Sequence, residues 1–381
     1  MQIGIYDVEL LIDGLSPFNT NGVSFVSLDI YEAIMNPVPN CVLRMIIPLK
    51  WLENRTITDG TLLTIGIKAP KQNIDERYDF RLFNIEKLKL NQNFVTVEIS
   101  GVIDFYQGYR SGNDINSYGK SSEMFTKIAN LGGLQTDIDP TNDAQLWIAG
   151  ERNIYLFMSD IAAHGWINET SAMFWCIDRQ KRLLYKNLTT LFRNRQENIY
   201  TFTQRPPEQK TDKLYFYNNV EGHILSGTNN LQNEGYGGED YYFDLISYAT
   251  KSVAARKVVA ESKMINISKV LSQGVITQIY PMDVGNFHKN YYLALKQNKR
   301  ILSTYSTYLT ITTGNLQSFR LAQICNIEFM DSQTRDNKAT TVSNVCMIDA
   351  IHTTITTSNI TAVLEVTMQG LNNPSKTQET Y

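Results

Sequence analysis

Between Phe94 and Phe105 the chain alternates apolar Val95, Val97 and Ile99 with polar Thr96, Glu98 and Ser100. That period of two belongs to a strand with one face in a core and one in water, and no helix can satisfy it. Five further segments before it read as strands: Ile3 to Ile12, Val23 to Ile34, Cys41 to Leu52, Leu62 to Lys68 and Tyr78 to Leu90. Asp-Gly, Asn-Pro and Asn-Gln-Asn punctuation separates them. Strands this numerous and this regularly spaced predict a closed or nearly closed antiparallel barrel, because closure removes the edges on which strands mispair.

A different pattern interrupts the strands from Ser117 to Asn187. Met124, Phe125, Ile128 and Leu131 recur at helical spacing, and Gly132-Gly133 then stops the helix. Asn153 is placed to cap a second helix whose Ile154, Phe157, Met158 and Ile161 form one apolar stripe, with His164 in its last turn and Gly165 as its stop. Phe174 to Ile177, the polar turn Asp178-Arg179-Gln180-Lys181 and Leu183 to Tyr185 read as a hairpin. Trp147 and Trp166 are read as core anchors.

Strands return at Ile199 to Thr203 and Lys213 to Tyr217, followed by a Gly-, Asn- and Tyr-rich loop over 226–242. Helical spacing is read over Phe243 to Ala260, where Val258-Val259 could equally begin a strand, and a stronger helix over Phe287 to Ile301 with Tyr291, Leu295 and Leu302 on one face. Tyr305 to Thr313, Phe319 to Met330, Ser343 to Thr356 and Ile360 to Met368 complete the strands. The expected organisation is a first barrel over 1–108, an α/β connecting module over 109–196, and a second barrel from 197–225 and 303–370. A helical and loop insert over 226–302 divides that second barrel, and 371–381 forms a flexible polar tail. Two β regions of similar character, each beside an insert, suggest an internal duplication.

Composition narrows the function. A 43% apolar fraction supports real cores in a chain of 381 residues, and 19% charge argues against disorder. A net charge of −3 offers no basic field to hold nucleic acid. Cys41, Cys176, Cys325 and Cys346 form no CxxC pair and read as buried, reduced thiols. The first residues resemble a strand, without a basic, apolar leader, and no apolar run approaches membrane-spanning length, so synthesis in the cytosol and no membrane insertion are expected.

No catalytic, cofactor or metal site is signalled. His164, His223, His288 and His352 lie in separate regions without ligand spacing. Asp137 to Asp143 carries clustered carboxylates but lacks the glycine and terminal glutamate of a calcium loop. Gly235 to Asp240 is glycine-rich without a surrounding phosphate-binding fingerprint. No GxSxG occurs, and nothing promotes a particular carboxylate pair for glycoside hydrolysis. The 21 tyrosines cluster at Tyr215/Tyr217, Tyr236/Tyr241/Tyr242, Tyr291/Tyr292 and Tyr305/Tyr308, which suits either an interface or packing at strand ends.

Three stretches carry a resemblance. The first is Ser121 to Asn187, with its helix MFTKIANLGG, the run DIDPTNDAQLWIAGERN, the helix NIYLFMSDIAAH and the hairpin FWCIDRQKRLLY. The second is Val284 to Asn315, and the third is Met347 to Ile355 with the closing strand Thr361 to Met368. Together they resemble the baseplate hub proteins of contractile-tailed bacteriophages, the late control protein D hubs, whose fold recurs in the type VI secretion spike. The resemblance implies a mainly β fold with α+β inserts: two tube-type antiparallel β-barrel domains joined by α/β connecting modules. It implies a homotrimer whose barrels form a pseudo-sixfold ring adapting a sixfold tail tube to a threefold central spike.

The partners implied are the tail tube or tube-initiator protein, the spike, tape-measure protein, other baseplate proteins, and DNA passing through without specific binding. The implied location is the virion tail baseplate after assembly in the host cytoplasm, with no enzymatic activity and no cofactor. No oligosaccharide-binding barrel, lysozyme domain or needle follows Met368, so the spike is expected to be a separate chain. The alternatives are a carbohydrate-binding or glycan-degrading virion protein, and the hub of a type VI secretion or contractile injection system.

Overall fold

A computed structural model describes residues 1–3, 5–54, 57–69, 74–91, 93–112, 115–193, 200–203, 214–216, 220–224, 239–244, 249–254, 279–282, 287–305, 307–313, 319–329 and 342–368. The first β region comprises β1 (Gln2–Ile3), β2 (Tyr6–Ile12), β3 (Ser24–Ala33), β4 (Asn40–Pro48), β5 (Thr61–Ala69), β6 (Ile74–Asn91) and β7 (Phe94–Ile103). Their spatial order is β1-β2-β5-β6-β7-β4-β3, antiparallel throughout. The alternation that sequence reading found in β7 is real: Val95, Val97 and Ile99 are fully buried, with Thr96, Glu98 and Ser100 on the other face. Each such aliphatic side chain taken from water contributes roughly 1.5–3 kcal/mol. The segment expected as one strand to Leu52 instead ends at Pro48, which has no N–H for the ladder, and turns into α1 (Leu49–Asn54).

The module contains β8 (Ser117–Gly119), α2 (Ser121–Gly132), β9 (Gln135–Ile138), β10 (Gln145–Trp147), α3 (Ile154–His164), β11 (Met173–Ile177), β12 (Arg182–Asn187) and α4 (Leu188–Arg193). Both expected helices and the hairpin are present. Gly133 ends α2 in the left-handed conformation at φ 63°, and the Asn153 side chain accepts the Leu156 N–H at 2.8 Å to cap α3. Met124, Phe125 and Ile128 are buried as expected, but Leu131, in the last turn of α2, is half exposed.

The remaining described elements are β13 (Tyr200–Thr203), β14 (Leu214–Phe216), β15 (Val220–Ile224), β16 (Glu239–Asp244), β17 (Ala249–Ala254), β18 (Ile279–Met282), α5 (Tyr291–Thr304), β19 (Thr307–Thr313), β20 (Ile324–Phe329), β21 (Val342–Thr356) and β22 (Ile360–Met368). The helix expected over Phe243 to Ala260 is corrected within the described residues. There β16 and β17 form an antiparallel pair, and β18 joins β16 in parallel. The aromatic run Tyr241-Tyr242-Phe243 favours strand, and pairing with the distant β18 overrides a weak helical spacing.

The β regions are not two separate sheets. β21 pairs with β20 through its first half and with β3 through its second, while β22 follows its other edge. One fourteen-stranded sheet results. Among the described residues its hydrogen-bonded path is open, running from β1 to β14, so the expected barrel closure is not reached. The edge of β3 on which the first region would close with β1 is occupied by β21. The ladder is also not wholly antiparallel, since β13 runs parallel to both β14 and β20. The long chain between Thr203 and Ile324 allows that crossover.

Candidate functional site

The β11–β12 hairpin is buried on both faces, and this organises the molecule. Met173, Trp175, Ile177, Leu183 and Tyr185 belong to the core shared with the first β region. Ala172, Phe174, Cys176 and Leu184 belong to the core of the second. The hairpin is therefore a wall with one hydrophobic core on each side. A continuous apolar strand is what such a position demands, because neither face meets water.

The tip of this wall carries a charge into the protein. Arg179 and Glu32 both lie at most 4% exposed. The Arg179 N–H donates to Glu32 Oε1 at 2.8 Å, Nη1 donates to Oε2 at 2.9 Å, and Nη2 donates to the Phe319 carbonyl at 3.0 Å. Glu76 Oε2 lies 3.5 Å from Nη2, a charge contact without hydrogen-bond geometry. The guanidinium carbon also sits 5.4 Å from the centre of the Tyr78 ring. One side chain of the module thus touches β3, β6 and the segment leading into β20. Burial works against the Arg179 charge, but facing Glu32 and Glu76 outweigh it and hold the guanidinium protonated. Beside it, Lys181 Nζ meets Asp104 at 3.2 Å, and Asp104 meets Arg81 at 2.7 Å.

A second set of contacts fixes α5 against the module. Asn298 donates from Nδ2 to the Ala162, Ala163 and Gly165 carbonyls at 3.1, 2.9 and 3.3 Å. Its Oδ1 accepts the Met173 N–H at 3.2 Å. His164 stacks on Tyr291 at 3.5 Å between ring centres and donates from Nδ1 to the Tyr291 carbonyl. His288 donates from Nε2 to the His164 carbonyl at 3.1 Å, while its Nδ1 accepts the Asn290 N–H. Burial lowers the pKa of both imidazoles and favours the neutral rings, and the carbonyls they face select these tautomers.

Other residues singled out in the sequence fall as follows. Trp147 and Trp166 are buried anchors, and Trp147 Nε1 donates to the Gly119 carbonyl at 3.0 Å. Asp137 and Asp139 both hold Lys186, at 2.8 and 2.7 Å. Asp143 is fully buried and accepts from the Ser121 N–H, the Ser121 hydroxyl and the Trp166 N–H. Asp137 and Asp139 converge on Lys186, and among the described residues no three such groups are placed to hold a metal ion. His352 Nε2 lies 3.3 Å from Asp29, and His223 stands opposite Tyr308 in the β15–β19 ladder. All four cysteines are buried and unbridged. Tyr305 is buried and Tyr291 and Tyr308 are half-buried, which for them favours the packing reading. Tyr217, Tyr236 and Gly235–Gly238 lie outside the described residues.

The sequence places His164 and His288 in separate regions and Arg179 in a polar turn, whereas the structure brings the histidines together and buries Arg179. A signal was available. Leu28, Ile30 and Glu32 share one parity in β3, and Ile74, Glu76, Tyr78 and Phe80 share one in β6, so both glutamates stand at inward positions. An inward carboxylate calls for a cation.

A mainly β chain with one joined sheet and a double-sided α/β wall has the fold of phage tail proteins, as the resemblance led one to expect. It is similar to the 43 kDa tail protein of prophage MuSo2 from Shewanella oneidensis, at 9% identity and a TM-score of 0.59, over 96% of this chain and 98% of that one. It is likewise similar to the tail protein from Neisseria meningitidis MC58, at 10% identity and a TM-score of 0.57, over 97% and 98% of the two chains. At such identities the likeness is one of fold. No protein-family model and no curated protein matches the sequence.

Proposed function

We propose that this chain is a structural baseplate hub of a contractile phage tail, without enzymatic activity. The observation that supports this reading best is the double-sided wall, which locks two β regions into one fixed relation through a shared sheet and the Arg179 contacts. The proposed units are a tube-type region over 1–108, a connecting module over 109–196, a second tube-type region from 197–225 and 303–370, and an insert over 226–302. Two such regions per chain solve a symmetry problem. A trimer of chains presents a pseudo-sixfold ring to the tail tube and a threefold face to the spike, provided each pair is held rigidly.

In this reading the partners are two further copies of the chain, the tube or tube-initiator protein, the central spike, tape-measure protein and other baseplate proteins, all in the virion tail. A net charge of −3 suits a channel past which DNA slides, because adhesion grows with each Lys or Arg contact to phosphate. Light scattering coupled to gel filtration, with negative-stain imaging, is the test. Threefold rings with an open channel, alone or with the spike, are expected. A strictly monomeric particle under both conditions would sink the idea.

A further inference from the structure

Where β21 passes from β20 to β3, its ladder with β22 is interrupted. Ile348 faces Val366 and Ala350 faces Glu365, which leaves Asp349 as the extra residue of a bulge. Bulges re-aim the side chain they carry. Asp349 lines a cavity of about 410 Å³ between the wall, α3, α5 and the sheet, with Trp175, Leu295, Leu302, Tyr308 and Met347 among its neighbours. The other polar side chains of that lining are already engaged. Ser159 donates to the Tyr155 carbonyl, Thr367 to the Tyr305 carbonyl, and Asn298 to three carbonyls while accepting the Met173 N–H. Tyr308 is hydrogen-bonded to Thr367.

Asp349 is the exception. It is 7% exposed, and no hydrogen bond or ion pair from the described residues reaches its carboxyl. Its charged neighbour, Glu365, has the same sign. A carboxyl left this way at the wall of an apolar space is complementary to one kind of guest, a cation with an apolar body. The volume falls within the roughly 300–1,000 Å³ of small-molecule sites and exceeds what one side chain fills.

We propose that this cavity is a binding site for a small organic cation, an aromatic or aliphatic body bearing one ammonium group that pairs with Asp349. Trp175, Tyr305 and Tyr308 supply aromatic wall for the body of such a ligand, and Met35, 82% exposed, supplies an adaptable thioether at the opening. Burial and Glu365 raise the Asp349 carboxyl to about 7, so an incoming ammonium is expected to draw it down and release a proton. The site goes beyond the hub reading and does not depend on it.

Calorimetric titration of the full chain at pH 8 tests the proposal with 2-phenylethylamine, its neutral isostere 2-phenylethanol, and the peptide acetyl-Leu-Lys-Leu-amide. The amine is expected to saturate one site per chain, at least about tenfold tighter than the alcohol, since a charge-assisted pair is worth that factor or more. Asp349→Asn should erase the difference, and Leu302→Trp at the half-exposed edge should block both ligands. Equal binding of amine and alcohol to the unaltered chain, or no saturable binding of either, overturns the proposal without recourse to any variant. An undiminished preference for the amine in Asp349→Asn overturns the role of the carboxylate. Tighter binding of the peptide than of the amine overturns the small-molecule assignment.

Discussion

Arg179 and Glu32 are separated by 147 residues, yet the carboxylate of Glu32 receives both the main-chain N–H and Nη1 of Arg179 within 2.9 Å. The contact is one of the points at which the module is fastened to the first β region, and through Phe319 it reaches the second.

Removing the cation leaves Glu32 and Glu76 buried without compensation. Arg179→Ala is therefore expected to lower stability by roughly 3–5 kcal/mol in denaturant unfolding. Arg179→Lys should recover little of it, because an ammonium cannot supply the planar fork that serves Glu32 and Phe319 together. Combining Arg179→Met with Glu32→Gln and Glu76→Gln should cost less than Arg179→Ala alone. A triple variant less stable than the single one would refute the argument from uncompensated charge.

Asp349 makes stability depend on pH. Burial, then Glu365, raises its carboxyl from 3.8 to about 7, so the folded chain holds this proton more tightly than the unfolded chain. The sign follows: its penalty is absent below about pH 4, grows as pH rises, and is complete above about pH 7. Tyr31, Tyr308 and Cys176 also feel this group, but their own pKa values are raised above the range concerned. Asp349→Asn should be about as stable as the parent at pH 4 and more stable at pH 8, by roughly 1–3 kcal/mol in denaturant unfolding once the cost of burying an amide is deducted. Curves that stay parallel across that range would contradict it.

Asn298 closes the end of α3 from a distant helix. Asn298→Ala removes a donor shared by three carbonyls, of which Ala162 keeps the Gly165 N–H, and takes the side-chain acceptor from the buried Met173 N–H, with an expected loss of about 2–3 kcal/mol. Asn298→Asp should be worse, since it deletes the donors and places a negative charge at a helix C-terminus. Hydrogen exchange should accelerate first around 162–173, before global unfolding.

Gly165 has no room for a methyl group. A Cβ there would lie 2.0 Å from the Tyr185 hydroxyl, which is itself 3.0 Å from Ser121 Oγ. Gly165→Ala is expected to cost about 1–3 kcal/mol through overpacking. Tyr185→Phe removes the clashing atom, so the double variant should be more stable than the two single losses predict. Strict additivity in that cycle would show that the clash is relieved elsewhere.

Much of this molecule is local and was legible. The alternation of β7, the Asn153 cap, the glycine exit from α2 and the hairpin each depend on residues a few positions apart. The helical reading of Phe243 onward failed because the pairing of β16 with β18 is not written in the segment itself. The joining of the two β regions was not legible for the same reason: that β21 links them is a fact about partners more than three hundred residues apart, such as Thr354 and Asp29.

The sequence by itself determined the strands of the first β region to within their ends, the two module helices with their stops, and which of their faces are apolar, since these follow from side-chain spacing and backbone preference over a single turn or ladder. Only the tertiary structure decided that the polar turn at Arg179 is buried, that His164 and His288 meet, and that Asp349 stands beside a cavity with no partner among the described residues. Those outcomes depend on which distant surface covers each residue, and covering is a property of packed elements and not of neighbours along the chain.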